Sequence, residues 1–235
     1  MPDMLSSFRP LALPIESLPT SGRTEQLILL LHGWCGDAMD MAPLAERLRA
    51  EFPQAAVLAP EGPEVDDKGR RRQWYSIQNL SPETWPARVQ TVMPTLQAWV
   101  RAQQQRLGVA PAATALGGFS QGAVLAMSLA LQDDGIAGRV LAFGGLLPEP
   151  PQAAPRHTTL HLFHGSDDKI FPVPALRERF EQLAALKADA TLDVAEGVSH
   201  ELHPALIDCA IHRLRSHIPL RTWQAALSAA QASCG

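Results

Sequence analysis

Residues Leu27-Ile28-Leu29-Leu30-Leu31 are apolar at every position, and that run constrains the fold more than anything else in the chain. A strand with one wet face alternates polar and apolar side chains. One that is apolar throughout must be covered on both faces, the situation of a central strand in a parallel sheet flanked by helices. Further short apolar runs follow at 55–59, 112–116, 140–143, 159–163 and 191–195, most of them separated by longer segments of helical character. Strand and helix alternating in this way predict an α/β fold with a mostly parallel sheet. Residues 11–15 are read as an additional antiparallel edge strand.

The helical segments carry their own punctuation. Asp37 is placed to cap a helix over 38–51. Ser81-Pro82 reads as a cap followed by proline in the first turn, opening a helix to about residue 106. Pro94 lies inside it and predicts a kink or break, because proline lacks the N–H and crowds the preceding turn. A helix over 120–132 stops at Asp133-Asp134-Gly135, and another covers 175–186. Leu202, Leu206, Cys209, Ala210 and Leu214 recur at helical spacing with Cys209 on the buried face, and a last helix spans about 220–232.

Composition narrows the class further. At 235 residues, 46% hydrophobic and 19% charged, the chain can bury one sizeable core, and with no internal repeat or long linker it is expected to be one domain over 1–235. Its longest aliphatic run is five residues, far short of the roughly 20 that a membrane span needs. A net charge of −4 gives no general attraction to nucleic acid or anionic lipid, and Lys68-Gly69-Arg70-Arg71-Arg72 is read as a solvated loop. Cys35, Cys209 and Cys234 form no metal-type pair and Asp and His cluster nowhere at ligand spacing, so no metal is expected, and no cofactor is expected either. The first 18 residues hold no signal-like apolar stretch, and the expected location is the cytoplasm, as a monomer or homodimer.

In open parallel sheets, chemistry gathers at the carboxyl ends of the strands. There the chain places Gly117-Gly118-Phe119-Ser120-Gln121-Gly122, a Gly-x-Ser-x-Gly turn between a strand and a helix. Such a turn pushes Ser120 out at the head of a helix whose N–H groups favour developing negative charge. A serine hydroxyl needs a base, and the base an orienting acid. His164-Gly165-Ser166-Asp167-Asp168 puts a carboxylate pair at a strand end, Asp168 lying 48 residues past Ser120; spacing alone does not choose between Asp167 and Asp168. Glu196-Gly197-Val198-Ser199-His200 supplies a loop histidine 32 residues further on. His32 and His164 read as turn-packing residues, His203 as a surface residue, and His157, His161, His212 and His217 as lacking an acid partner. The N–H groups of Gln121 and of Trp34, in the early loop 31–37, are placed to form an oxyanion hole, with Cys35 beside them as a small filler. Trp34, Trp74, Leu146, Leu147 and Phe171 are the candidate substrate-binding side chains.

His32-Gly33-x-x-Gly36-Asp37, Gln73-Trp74-Tyr75, the Ser120 turn, His164-Gly165-x-x-Asp168 and Gly197-x-x-His200 resemble, in order, the motifs of the phospholipase/carboxylesterase family, which includes acyl-protein thioesterases and small bacterial carboxylesterases. The resemblance spans about 25–215. It implies an α/β-hydrolase fold with no separate cap domain. It also implies Ser120 as nucleophile, Asp168 rather than Asp167 as acid, His200 as base, and Trp34 and Gln121 as oxyanion donors. The expected substrate is a small-molecule acyl ester. The chain departs from the family at Trp74-Tyr75-Ser76, where Trp-Phe-Asp is frequent, and at Lys169-Ile170-Phe171-Pro172, where a Pro-Leu-Val-Pro-like run is common. Only about fifteen residues separate the runs at 140–143 and 159–163, leaving no room there for a cap and predicting an open site for short to medium acyl chains.

Overall fold

The computed structural model describes residues 11–20 and 22–233, so Cys234 lies outside the described residues. Its strands are β1 (Ile15–Ser17), β2 (Gln26–Leu31), β3 (Ala55–Ala59), the hairpin β4 (Glu64–Val65) and β5 (Arg72–Gln73), then β6 (Thr114–Phe119), β7 (Arg139–Phe143), β8 (Thr159–Gly165) and β9 (Ala190–Ala195). Seven of them form one sheet in the order β1-β3-β2-β6-β7-β8-β9. All neighbours run parallel except β1 on β3. Around the sheet lie α1 (Ala42–Glu51), α2 (Trp85–Leu107), α3 (Gln121–Gln132), α4 (Val173–Ala185), α5 (Pro204–Ser216) and α6 (Leu220–Ser233). This is an α/β-hydrolase-like architecture.

The apolar run behaves as its pattern requires. Leu27, Leu29 and Leu31 enter the core beneath α2 and α3, while Ile28 and Leu30 enter a second core with α1 and α5. α3 lies against both the sheet and α2 and is buried nearly all round, which is why it carries no charged residue.

Several boundaries differ from the sequence reading, each for a local reason. The edge strand is antiparallel as expected but starts at Ile15, since Pro14 has no N–H to give to a ladder; Leu11 and Leu13 pack on the core instead. β6 begins later and runs through the glycines to Phe119, because Gly117 and Gly118 pair with β2 and β7 rather than turning away. The helix over 38–51 is split into a 3₁₀ turn, Ala38–Met41, capped by Asp37, and α1, whose Pro43 cannot continue the hydrogen-bond ladder. α2 starts at Trp85, not Ser81, and is not broken at Pro94: Val89, Val92, Met93, Leu96, Trp99 and Val100 all bury against the core and outweigh the lost bond.

The basic run is not simply a solvated loop. Arg72 is in β5, and Arg71 holds Asp37 and Asp40 at 2.7 Å each, tying the hairpin to the loop after β2. His217 also acquires an acid partner, with Nε2 at 3.0 Å from Asp189 Oδ1, a pairing across 28 residues that spacing does not reveal. Among the described residues no helix is long and apolar enough to cross a membrane.

Candidate active site

β6 ends in a strained turn. Ser120 has φ 52° and ψ −115°, and its N–H donates to Phe143 O at 2.9 Å. A non-glycine residue pays for positive φ, and the turn persists because its neighbours are glycines of necessity. A Cβ on Gly118 would lie 2.3 Å from the Gly122 carbonyl carbon, and one on Gly122 would lie 2.0 Å from Leu31 O. β6, α3 and β2 therefore meet backbone to backbone, and the Ser120 hydroxyl projects from the junction.

His200 comes to it from the loop after β9. Nε2 lies 2.9 Å from Ser120 Oγ, and Nδ1 lies 2.7 Å from Asp168 Oδ2. That loop is held on the end of β8 by Gly165, where a Cβ would stand 2.2 Å from Val198 O, and by Asp167 N–H donating to Val198 O at 2.9 Å. Asp168 is buried, while Asp167 is exposed. Asp168 Oδ1 accepts from the N–H groups of Ile170 (2.8 Å) and Phe171 (2.9 Å), so the carboxylate is anchored and its other oxygen faces His200. A carboxylate accepting from Nδ1–H leaves the Nε2 lone pair facing the hydroxyl, the arrangement in which an imidazole can take a proton from an attacking serine.

The other histidines are placed differently. His32 is fully buried; Nε2 accepts from Gly62 N–H at 2.9 Å and Nδ1 donates to Gly33 O at 2.7 Å, and burial holds its pKa below the usual range. His164 is also buried and shifted down by burial; its Nε2 donates to Phe171 O at 2.7 Å and lies 3.2 Å from Asp168 Oδ2. His203 is half-buried and caps α5 by accepting from Ala205 N–H.

Trp34 and Gln121 flank Ser120. Gln121 opens α3, so its N–H has no intrahelical acceptor. Its side chain is fixed twice, Oε1 accepting from Trp74 N–H and Nε2 donating to Tyr75 O, both at 2.8 Å. The Trp34 loop lies close to the serine turn because Gly33 has no side chain: a Cβ there would stand 3.3 Å from Ser120 Cβ. The Trp34 indole donates to Gln73 Oε1 at 2.9 Å and carries Lys68 Nζ 4.8 Å over its ring. Neighbouring Cys35 is half-buried at φ 54°, and its thiol pKa is raised, chiefly by the Asp66 carboxylate beside it.

An apolar cleft of about 500 Å³ opens over Ser120 and His200. Of the proposed substrate-binding residues, Trp34 and Phe171 line it, while Trp74, Leu146 and Leu147 do not. Trp74 is 1% exposed because its indole lies beneath the Trp34 loop and donates to His32 O at 3.0 Å. Leu147 is buried in the α2–α3 core, and Leu146 is half-buried against it. The walls are instead Tyr75, Ile77, Leu80, Trp85, Phe119 and Ile170. Trp85 stacks on Phe171 at 5.6 Å and donates to Tyr75 Oη at 2.9 Å; burial pushes that phenol up to about 12, so it stays protonated. A signal for this wall exists in the apolar residues Ile77, Leu80 and Trp85 around a polar turn, masked by the helix expected from Ser81. Among the described residues no three His, Cys, Asp or Glu side chains gather at metal-binding distance.

A mostly parallel sheet with a Gly-x-Ser-x-Gly turn at its centre defines an α/β hydrolase. The chain belongs to the phospholipase/carboxylesterase family, whose sequence pattern it matches over residues 17–218. It is 35% identical over 204 residues to the esterase YpfH of Escherichia coli, covering 87% of this chain and 88% of that one. Over 86% of its length it is 24% identical to acyl-protein thioesterase 1 of Gibberella zeae, of which it covers 94%. The crystal structure of esterase PE8 superposes with a TM-score of 0.81 at 28% identity, across 88% of this chain and 99% of that one. The chain is thus an enzyme of the esterase-type hydrolases.

Proposed function

We propose that this enzyme hydrolyses short- to medium-chain acyl esters through an acyl-enzyme on Ser120. The reading rests on one observation above the others: Ser120 Oγ, His200 and the buried Asp168 form a continuous hydrogen-bonded chain at 2.9 and 2.7 Å on the floor of an apolar cleft. Ser120 Oγ attacks the ester carbonyl while His200 Nε2 takes its proton, and Asp168 holds the imidazole in the tautomer that can do so. The N–H groups of Trp34 and Gln121 receive the oxyanion. His200 then protonates the departing alkoxide, water attacks the acyl-enzyme by the same route, and Ser120 is released. The acyl chain lies between Ile77, Leu80 and the Trp85–Phe171 stack.

Thioesters of acylated proteins or of acyl-CoA are the second reading, favoured by the likeness to a relative named acyl-protein thioesterase 1. The same residues serve it, since a thiolate leaves more readily than an alkoxide. A chain-length series of p-nitrophenyl esters and matched thioesters separates the two. Turnover is expected to peak among the short and medium esters and to fall about 10⁴-fold or more in Ser120→Ala. A rate climbing steadily to C16 esters, or unchanged in Ser120→Ala, would sink the proposal.

A further inference from the structure

A second cavity, of about 420 Å³, lies at the other end of the sheet, where β2, β6 and β7 begin. Its wall includes Arg139 from β7, Arg221 from α6, and the apolar side chains of Ile28, Phe52, Leu214 and Pro219. The two guanidiniums converge on shared acceptors. Arg139 Nη1 donates to Gly138 O and Thr159 Oγ1, both at 3.2 Å, while Arg221 reaches the same hydroxyl at 3.1 Å and the same carbonyl at 3.3 Å.

Two like charges meet on neutral acceptors, and the carboxylate that bears on Arg139 among the described residues, Asp189, does so through space and not by a direct bond. Asp189, the acid behind Thr159, is already engaged: it accepts from His217 Nε2 (3.0 Å), the Thr159 hydroxyl (2.6 Å) and Leu220 N–H (3.1 Å). Glu25 lines the cavity but forms no ion pair with either arginine. Burial, and then the neighbouring Arg221, hold the Arg139 pKa below its usual value. Nε and Nη2 of Arg139 and Nε of Arg221 donate to no protein acceptor among the described residues and are open to the cavity, leaving fork-shaped donors at a partly apolar wall. A planar anion accepting from both would take the place of solvent on those donors and offset the repulsion between the two guanidiniums.

We propose that this cavity binds an organic carboxylate, its headgroup between Arg139 and Arg221 and a short apolar body against Phe52, Leu214 and Pro219. The site is separate from the Ser120 cleft and does not depend on that cleft's chemistry.

Calorimetric titration of the full chain with sodium octanoate, run beside inorganic phosphate, tests it. Saturable octanoate binding is expected, weakened about tenfold or more in Arg139→Gln and in Arg221→Gln, with phosphate binding more weakly than octanoate. Ile170→Asn, at the rim of the other cleft, is expected to leave that affinity within about twofold, and both arginine variants to keep their ester turnover. Arg221 also ties α6 to the sheet, so circular dichroism accompanies each variant; if Arg221→Gln unfolds, Arg139→Gln, which leaves the Arg221 bonds in place, decides. Absence of saturable binding, unchanged affinity in Arg139→Gln, loss confined to Ile170→Asn, or phosphate binding as tightly as octanoate would each overturn the proposal.

Discussion

Adjacent residues of the same type can have entirely different surroundings, and Asp167 and Asp168 show how. Asp168 is buried with both oxygens engaged, whereas Asp167 is exposed and accepts only from the neighbouring Ser166 hydroxyl. Asp168→Asn is therefore expected to lower kcat about 10⁴-fold by favouring the wrong imidazole tautomer, and Asp167→Asn to stay within about twofold; parallel kinetics on one ester check both. The glycines are as demanding. Gly118→Ala puts a methyl 2.3 Å from the Gly122 backbone, which cannot yield as a flexible side chain would. It is expected to reduce soluble folded protein or, where folded, to displace Ser120 and abolish activity, as read by expression yield and turnover. The sequence pattern indicated the need for small residues here. The contact partners, Leu31 and Gly122, come from tertiary structure.

At the scale of elements, α2 and the strap after β5 show tertiary packing overriding local signals. Pro94 is exposed on an otherwise continuous helix whose opposite face is buried in the core. Pro94→Ala restores a backbone donor without touching that face and is expected to raise stability by about 1–3 kcal/mol in urea unfolding; a lower midpoint would mean the proline's shape is needed there. Gln121 works the other way. Its side chain satisfies Trp74 N–H and Tyr75 O inside the protein. Gln121→Ala leaves both buried groups unpaired, with an expected cost of about 1–3 kcal/mol, and turnover is expected to fall although the proposed oxyanion donor, a backbone N–H, remains. Thermal melts read beside kcat separate the two effects. Trp74 belongs to this strap, and its inward orientation follows from the same bonds, which is why it lies outside the cleft.

For the whole molecule, acid stability follows from several groups whose folded pKa values are held down, the buried His32 and His164 among them, with His161 and Asp66 shifted furthest. Burial lowers His161 from 6.5 to about 3, so the unfolded chain takes up a proton that the folded chain refuses. Stability from this site is complete above 6.5 and declines as the pH falls towards about 3. Asp66 is lowered from 3.8 to about 2, chiefly by the Cys35 thiol and then by the Arg70 N–H; its contribution is present above 3.8 and is lost as the pH falls through about 2. Unfolding midpoints are therefore expected to drop first between pH 6.5 and 3, and His161→Gln to flatten that part of the curve. An equal slope in wild type and variant would show that other groups carry it.

The sequence by itself determined the sheet-centred fold, because a strand apolar at every position and a glycine-flanked serine leave few alternatives, and both signals are local. It also placed Ser120, the Asp167-Asp168 pair and His200 after three successive apolar runs, since the succession of runs and loops along the chain is readable from periodicity; the choice of Asp168 over Asp167 came from the family resemblance. Tertiary structure alone decided which aromatic side chains face the cleft, why Lys68–Arg72 is folded against the loop after β2, and where two arginines meet at the far end of the sheet. Those outcomes depend on residues tens of positions apart competing for the same space and the same hydrogen-bond partners, and no local pattern records who wins.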